Sequence, residues 1–249
     1  MFNFFAENSC RNGNRYYING TDFNHIKNVL RMKEGDKFLV SFNGKSDLCR
    51  LEAFESDTVV AVIEEENYQN CELPVRIYLF QGLPKSDKME LIIQKCVELG
   101  VTDIVPVEMS RSIVKIEDKK KQSKITRWQA IAESAAKQSK RNVIPEIHPI
   151  ISFNQAVKYA QNLDITAVPY ESEEGMVSTQ NFLNKIKPNM SIGIFIGPEG
   201  GFEDKEIELA KSANAHIISL GKRILRTETA AITAVGMCML YIELNGEEK

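Results

Sequence analysis

The sequence predicts an α/β protein in two parts, a small β-rich domain followed by a larger α/β domain on a mostly parallel sheet. Three observations predict it. The first seventy or so residues carry short β-branched and aromatic runs, separated by Asn-Gly, Glu-Gly-Asp and Ser-Asp turn signals. Beyond Pro74, strand-like and helix-like segments alternate, as parallel strands covered on both faces require. The chain has 249 residues, enough for one small and one medium domain, which places them at 1–72 and 73–249.

In the first part the strand-like runs are 15–18, 37–42, 48–54 and 58–63. Thr21-Asp22 is placed to cap a helix over 23–31. The acidic stretch from Glu64 to Pro74 reads as a linker. The second part opens with an apolar strand at 75–81. Ser86-Asp87 then caps a helix whose stripe is Met89, Ile92, Ile93, Cys96, Val97 and Leu99, stopped by Gly100. Strand 102–107 and a long basic helical region at 119–140 follow. The remaining pattern is helix 153–161, strand 165–169, helix 178–187, strand 191–196, helix 203–213, strand 216–220 and a last helix at 227–244.

The formal net charge of −3 argues against a nucleic-acid partner until its distribution is read. Residues 111–141 hold ten Lys or Arg against three acids, so this stretch carries +7 and the rest about −10. The run suits a phosphate-binding surface or a solvated helix face. The five cysteines (Cys10, Cys49, Cys71, Cys96, Cys238) form no CxxC pair, and MFNFFAENSC is not a secretory signal, so they read as reduced thiols of a cytoplasmic protein. His25, His148 and His216 are too scattered to suggest a metal site, and no metal is expected. The apolar run 230–242 is too short to span a bilayer.

Ligands of open α/β sheets sit outside the carboxyl ends of strands, and two strand ends are unusual. Gly197-Pro198-Glu199-Gly200-Gly201 follows a buried strand and precedes a helix, but it is neither a P-loop nor a GxGxxG fingerprint. It reads as a backbone-lined pocket or as an ordinary glycine-rich turn. The second is Leu220-Gly221-Lys222-Arg223-Ile224-Leu225-Arg226-Thr227-Glu228. Here Arg226 sits at a helix N-terminus, against the dipole, while Glu228 agrees with it. Either Arg226 serves a site or it pairs with Glu228 at the surface. The small residues Ala230, Ala231, Ala234 and Gly236 then permit close approach to a neighbouring segment or partner chain, or simply pack in the core.

These two loops, in this order, resemble the cofactor motifs of SPOUT methyltransferases. Three further stretches, Gln81-Gly82-Leu83-Pro84-Lys85-Ser86-Asp87-Lys88-Met89, Arg127-Trp128 and Gln138-Ser139-Lys140-Arg141, are similar to the 16S rRNA uridine-N3 methyltransferase family within that class. His25 to Arg31 with Gly35-Asp36 resembles the family's PUA-like domain, so the resemblance covers essentially the whole chain. Two departures stand out: Lys85-Ser86 replaces an expected Lys-Gly, and Ser110-Arg111-Ser112 an expected Glu-Arg-Ser. The resemblance implies a PUA-like β-barrel at 1–72 and, at 73–249, a SPOUT α/β domain ending in a trefoil knot. It implies a homodimer acting on 16S rRNA of the small ribosomal subunit, with S-adenosyl-L-methionine (SAM) as methyl donor. It places SAM against Val168, Pro169 and Tyr170, against Ile196, Gly197, Glu199 and Gly200, and against Leu220, Leu225, Arg226 and Ala230.

Uracil N3 carries a proton and is a poor nucleophile at neutral pH. Arg226 could stabilise charge on O2 or O4. Glu228 could be a general base if burial raised its pKa, or only a helix-start acid, and Glu199 could offset the sulfonium. The RNA surface is expected at Arg11, Arg15, Lys27 and Arg31 of the small domain and at Arg111, Arg127, Lys140 and Arg141 of the other. Three rivals stay open: a SPOUT enzyme for another RNA, a non-catalytic ribosome-assembly factor, and a nucleotide-binding enzyme using 197–201 for phosphate.

Overall fold

The computed structural model describes residues 1–172 and 175–246. The chain divides into two compact units: Met1–Glu72 with Ala136–Ile144, and Leu73–Ala135 with the chain from Pro145 onward.

The first unit contains β1 (Asn3–Phe5), β2 (Arg11–Asn12), β3 (Arg15–Ile18), α1 (Gly20–Asn24), a π-helical turn His25–Val29, β4 (Lys37–Phe42), β5 (Lys45–Glu55) and β6 (Thr58–Gln69). They form a curled six-stranded sheet in the order β1-β4-β5-β6-β3-β2, antiparallel except for the β1–β4 pair. Alternate residues of the strands fill its core: Phe4, Tyr16, Phe38, Val40, Cys49, Leu51, Val59 and Ala61 are buried. Segment 136–144 is tied to this unit by polar groups. The Asn3 amide and the Ser41 hydroxyl donate to the Arg141 carbonyl at 2.9 and 3.2 Å, and the Asn142 amide N–H donates to Glu72 at 2.8 Å.

Two expectations fail here. Glu64 to Gln69 is not a linker but the second half of β6, because Lys37 and Arg50 pair with Glu64 and the ladder to β5 continues to Ser46–Gln69. The helix begins one turn earlier than expected, with Asn19 and not Thr21-Asp22 at its N-cap. It ends where Arg31 enters the left-handed region at φ 53°.

The second unit contains β7 (Arg76–Gly82), α2 (Lys88–Glu98), β8 (Asp103–Glu108), α3 (Asp118–Ser139, whose end belongs to the first unit), β9 (Glu146–Ile147) and β10 (Ile151–Ser152). It continues through α4 (Phe153–Ala160), β11 (Ile165–Pro169), α5 (Val177–Leu183), β12 (Ser191–Ile196), α6 (Asp204–Ser212), β13 (His216–Ile218) and α7 (Thr227–Gly246). The sheet order is β10-β8-β7-β12-β11-β13, all parallel, with β9 also on β8. Phe80 and Phe195 are register partners on β7 and β12 and stack at 4.4 Å in the centre of one core face. Capping boxes fix the starts of α4 (Ser152 with Gln155) and α6 (Glu203 with Glu206).

Helix α7 outruns the apolar stretch read from the sequence. By length and composition it is long enough to cross a membrane, yet it packs on α2, β7 and β12 and buries Ala231, Ala234, Val235 and Cys238. Of its small residues, Ala231 and Ala234 pack in the core, while Ala230 lines a cavity and Gly236 is half-buried.

Candidate active site

The carboxyl ends of β11, β12 and β13 lie side by side and their loops enclose a cavity of about 590 Å³. Each loop is pinned by a different contact. The 169–171 loop is held by the Tyr170 hydroxyl, which donates to Asp204 at 3.2 Å. The 197–201 loop is held by Thr227, whose hydroxyl donates to the Gly197 carbonyl at 2.7 Å and accepts from the buried Gln81 amide at 3.0 Å. The loop from 219 is held by Thr179, whose hydroxyl donates to the Ser219 carbonyl at 2.6 Å. Gly201 and Gly221 line the cavity at φ +69° and +99°, a region that disfavours side chains. Among the described residues other than their chain neighbours, nothing lies within 4 Å of a Cβ on Gly201, and a Cβ on Gly221 would meet Arg223 Nη2 at 3.9 Å.

Of the expected cofactor residues, Pro169, Tyr170, Ile196, Gly197, Glu199, Gly200, Leu220, Leu225, Arg226 and Ala230 line this one cavity. Val168 does not: it lies within β11 and is fully buried in the core with Phe80 and Phe195, so the lining begins at Pro169. Arg226 is exposed on the wall, and its carbonyl accepts the first bond of α7, from the Ala230 amide at 2.8 Å. The alternative of an Arg226–Glu228 pair is overturned, because Glu228 turns to Lys88.

Lys88 was missed as a site residue although it lies within the resemblance motif. Its ammonium lies 3.0 Å from Glu199 Oε1 and 3.4 Å from Glu228 Oε2. Glu228 does not line the cavity, and its Oε2 is buried without a well-aligned hydrogen bond. Burial pushes the Glu199 carboxyl up, but bonds from Lys88 and from backbone amides, including that of Lys85 at 3.0 Å, outweigh it and hold it below its ordinary value. The hydrogen bond to Glu199 raises the Lys88 pKa in turn.

The expected RNA contacts fare unevenly. Arg141 is corrected: only 3% exposed and paired with Glu72, it is a structural cation out of reach of a phosphate. Arg11 pairs with Glu66, Arg15 with Glu52 at 2.6 and 3.0 Å, and Arg127 with Glu90 at 2.8 Å, all near the surface where such pairs exchange easily. Lys27 lies over the Phe23 and Phe54 rings at 5.0 and 5.4 Å. Arg31 and Lys140 are exposed. Arg111 donates to the Gly200 carbonyl at 3.2 Å, so it belongs to the cavity loop's support. The histidines also hid one association: Asp103, Glu146 and His148 place ligand-type atoms within 4.8 Å of one another, with His148 Nε2 at 3.1 Å from Asp103. Pairing of β8 with β9 brings them together, which spacing in the chain cannot show.

A parallel sheet whose adjacent strand-end loops enclose a backbone-lined cavity, with a helix-rich outer layer, is the architecture of a SPOUT methyltransferase. The family model for the RNA methyltransferase domain matches residues 71–239 and that for the RNA methyltransferase PUA domain matches 18–64; the chain belongs to this RNA methyltransferase family. The protein named Ribosomal RNA small subunit methyltransferase E in Bacillus subtilis is 39% identical, covering 92% of this chain and 91% of its own. Two solved structures carry the likeness further. One is a Legionella pneumophila protein in complex with SAM (TM-score 0.82, 30% identity, 96% of each chain). The other is the Ribosomal RNA small subunit methyltransferase E of Neisseria gonorrhoeae bound to SAM (TM-score 0.80, 31% identity, 96% and 97% of the chains).

Proposed function

We propose that the protein transfers the methyl group of SAM to N3 of one uridine in 16S rRNA of the small ribosomal subunit. The observation that carries this reading is the cavity at three adjacent strand ends. It gathers ten of the eleven expected cofactor residues, in a chain that matches small-subunit ribosomal RNA methyltransferases along its length.

The residues present suit SAM. The cavity volume of about 590 Å³ lies in the range that small-molecule sites occupy, and the open space beside Gly201 and Gly221 lets a ligand lie against the backbone. Ile196, Leu220 and Leu225 offer apolar surface, and main-chain groups of the three loops offer hydrogen bonds. When bound, SAM supplies an electrophilic methyl carbon on a cationic sulfur. Glu199 faces the cavity as a carboxylate, suited to offset that charge. Arg226 and Arg223 both line the cavity without an ion pair among the described residues; of the two, Arg226, at the start of α7, is the one assigned to stabilise negative charge on uracil O2 or O4. Glu228 is engaged by Lys88 outside the cavity wall, which favours its role as a helix-start acid over that of a proton acceptor.

Uracil N3 lies on the Watson–Crick edge, so the base must enter unpaired. Residues 1–72 act as the RNA-binding PUA-like domain, with Arg11, Arg15, Lys27 and Arg31 facing phosphates. Residues 73–249 act as the knotted catalytic domain, with Arg127 as a further phosphate contact and Lys140, on the segment that packs with the first unit, as another. The protein works as a cytoplasmic homodimer: Leu240 and Leu244 leave an apolar strip on α7, 55% and 80% exposed, for a second copy to cover.

The deciding experiment is a radiolabelled-SAM assay on small ribosomal subunits lacking the modification, with the product mapped to the nucleotide. Label at N3 of a single 16S uridine is expected. Label at another nucleotide, or SAM binding without label on these subunits, would send the search to other targets within the class, and neither label nor SAM binding would point to the assembly-factor rival.

A further inference from the structure

The proposed donor carries a formal positive charge that the demethylated product, S-adenosyl-L-homocysteine (SAH), lacks. Whatever fixes the charge of the cavity wall therefore discriminates reactant from product. Two carboxylates, Glu199 on the cavity loop and Glu228 in the first turn of α7 behind the wall, come to one spot, and a single ammonium stands against both, at 3.0 and 3.4 Å. All three are partly withdrawn from water, their side chains 29%, 26% and 15% exposed for Lys88, Glu199 and Glu228. Solvent therefore screens them less than it would a surface pair. Among the described residues, Glu171, Arg223 and Arg226 are the other charged groups that line the cavity with Lys88 and Glu199.

We propose that Lys88 is a specificity-determining residue: its ammonium offsets Glu199 and Glu228 so that the cavity does not hold the cationic donor far more tightly than the neutral product. Without it, Glu199 would face the cofactor unopposed, with the Glu228 carboxylate close behind the cavity wall. They would stabilise the charged reactant in its ground state and oppose the loss of charge that transfer entails. Lys88 also ties the 197–201 loop to the first turn of α7, which alone would make it a structural brace. The two roles differ in one measurable respect. A brace supports both ligands alike, whereas a charge acts on their difference.

This inference rests on the reading of the cavity as a SAM site. The test is calorimetric titration of SAM and SAH into the wild-type protein and into Lys88→Met, Lys88→Arg and Glu228→Gln, each checked for folding by thermal melt. Lys88→Met is expected to raise the SAM-to-SAH affinity ratio on the order of tenfold. Lys88→Arg should keep it near the wild-type value, and Glu228→Gln should lower it. Affinities that fall together in Lys88→Met, with the ratio unchanged, would reduce Lys88 to a brace and overturn the inference. Should Lys88→Met not fold, Glu228→Gln decides alone, and a ratio that stays or rises there refutes it. A wild-type protein that binds neither ligand removes the proposed function itself, and this inference with it.

Discussion

Replacing Gly82 by alanine tests whether the end of β7 sets the position of the cofactor loop. A Cβ on Gly82 would stand 2.7 Å from both Cδ and N of Pro198 and 2.9 Å from Met109 Sδ. Carbon contacts are comfortable at about 3.5–4.0 Å, so the overlap is roughly 1 Å. Met109 can swing its sulfur away; the backbone nitrogen and ring of Pro198 cannot. Either β7 bends or the loop moves, and β7 is paired on both sides, with β12 and β8. Overpacking of this kind costs about 1–3 kcal/mol, less about 0.4–1 kcal/mol for the alanine's smaller unfolded-state entropy. A net loss of about 1–2 kcal/mol lowers the melting temperature of a chain this long by roughly 3–7 °C. Moving Pro198 by about 1 Å also displaces a cavity wall, for which a rate loss approaching 100-fold is reasonable. Urea unfolding, SAM titration and single-turnover methylation measure the three effects. A variant with the wild-type midpoint, SAM affinity and rate would show that Pro198 does not bear on Gly82, and the account of the loop's position would be wrong.

Three further substitutions follow from the same geometry. Ser86 has φ +56°, in the region that favours glycine, so Ser86→Gly should stabilise the protein by roughly 0.5–1 kcal/mol in denaturant titration; a loss would mean that the serine side chain contributes something unseen. Arg226→Ala should lower methylation by on the order of 100-fold while SAM affinity changes little, and an unchanged rate would remove Arg226 from the chemistry. His148 is held above its ordinary pKa by the hydrogen bond to Asp103, against burial that lowers it. A base raised on folding contributes stability in full below its unfolded value of about 6.5 and loses it as pH rises through the folded value. The stability difference between wild type and His148→Gln should therefore shrink from pH 6 toward pH 8, and a difference that grows with pH would reverse the assignment. Taking the difference removes the contribution of His216, which burial lowers.

The strands at 15–18, 37–42, 165–169 and 191–196 were legible to the residue because alternation or continuous burial marks them without ambiguity. The strand over Glu64 to Gln69 was not. Charged residues on an exposed face look like a linker until the cross-strand cations Lys37 and Arg50 are known to stand opposite. Arg141 shows the same limit reversed. Within a basic run it reads as surface, and only its contact with Glu72, distant in sequence, reveals a buried pair. The cavity itself was legible in its two glycine-bearing loops, since backbone that must approach a ligand leaves a trace in residue type. Of its supports, Thr179 left no trace, and Gln81, Lys88 and Thr227 stood inside the motifs without their roles showing, because each is a common polar residue whose role comes from the partner the fold supplies.

The helix starts also argue that a glycine-rich loop after a buried strand suits a cation better than a phosphate in this protein. Helices α6 and α7 both begin at the cavity, and bare helix N-termini would present partial positive charge to it. Each is answered by acids from its own first turn. At α6 the Glu203 side chain accepts from the Glu206 amide, while Glu206 returns the bond to Glu203 at 2.8 Å and accepts the Ser110 amide at 2.9 Å. At α7 Glu228 stands in the first turn. With the Glu206 amide of α6 answered by Glu203 and carboxylates beside both helix starts, the cavity is suited to a cationic ligand and poorly suited to a triphosphate. ATP should accordingly fail to compete with SAM at millimolar concentration. Effective competition would mean that the amides near Gly200 and Gly201 remain free to bind phosphate, and would revive the nucleotide-binding reading.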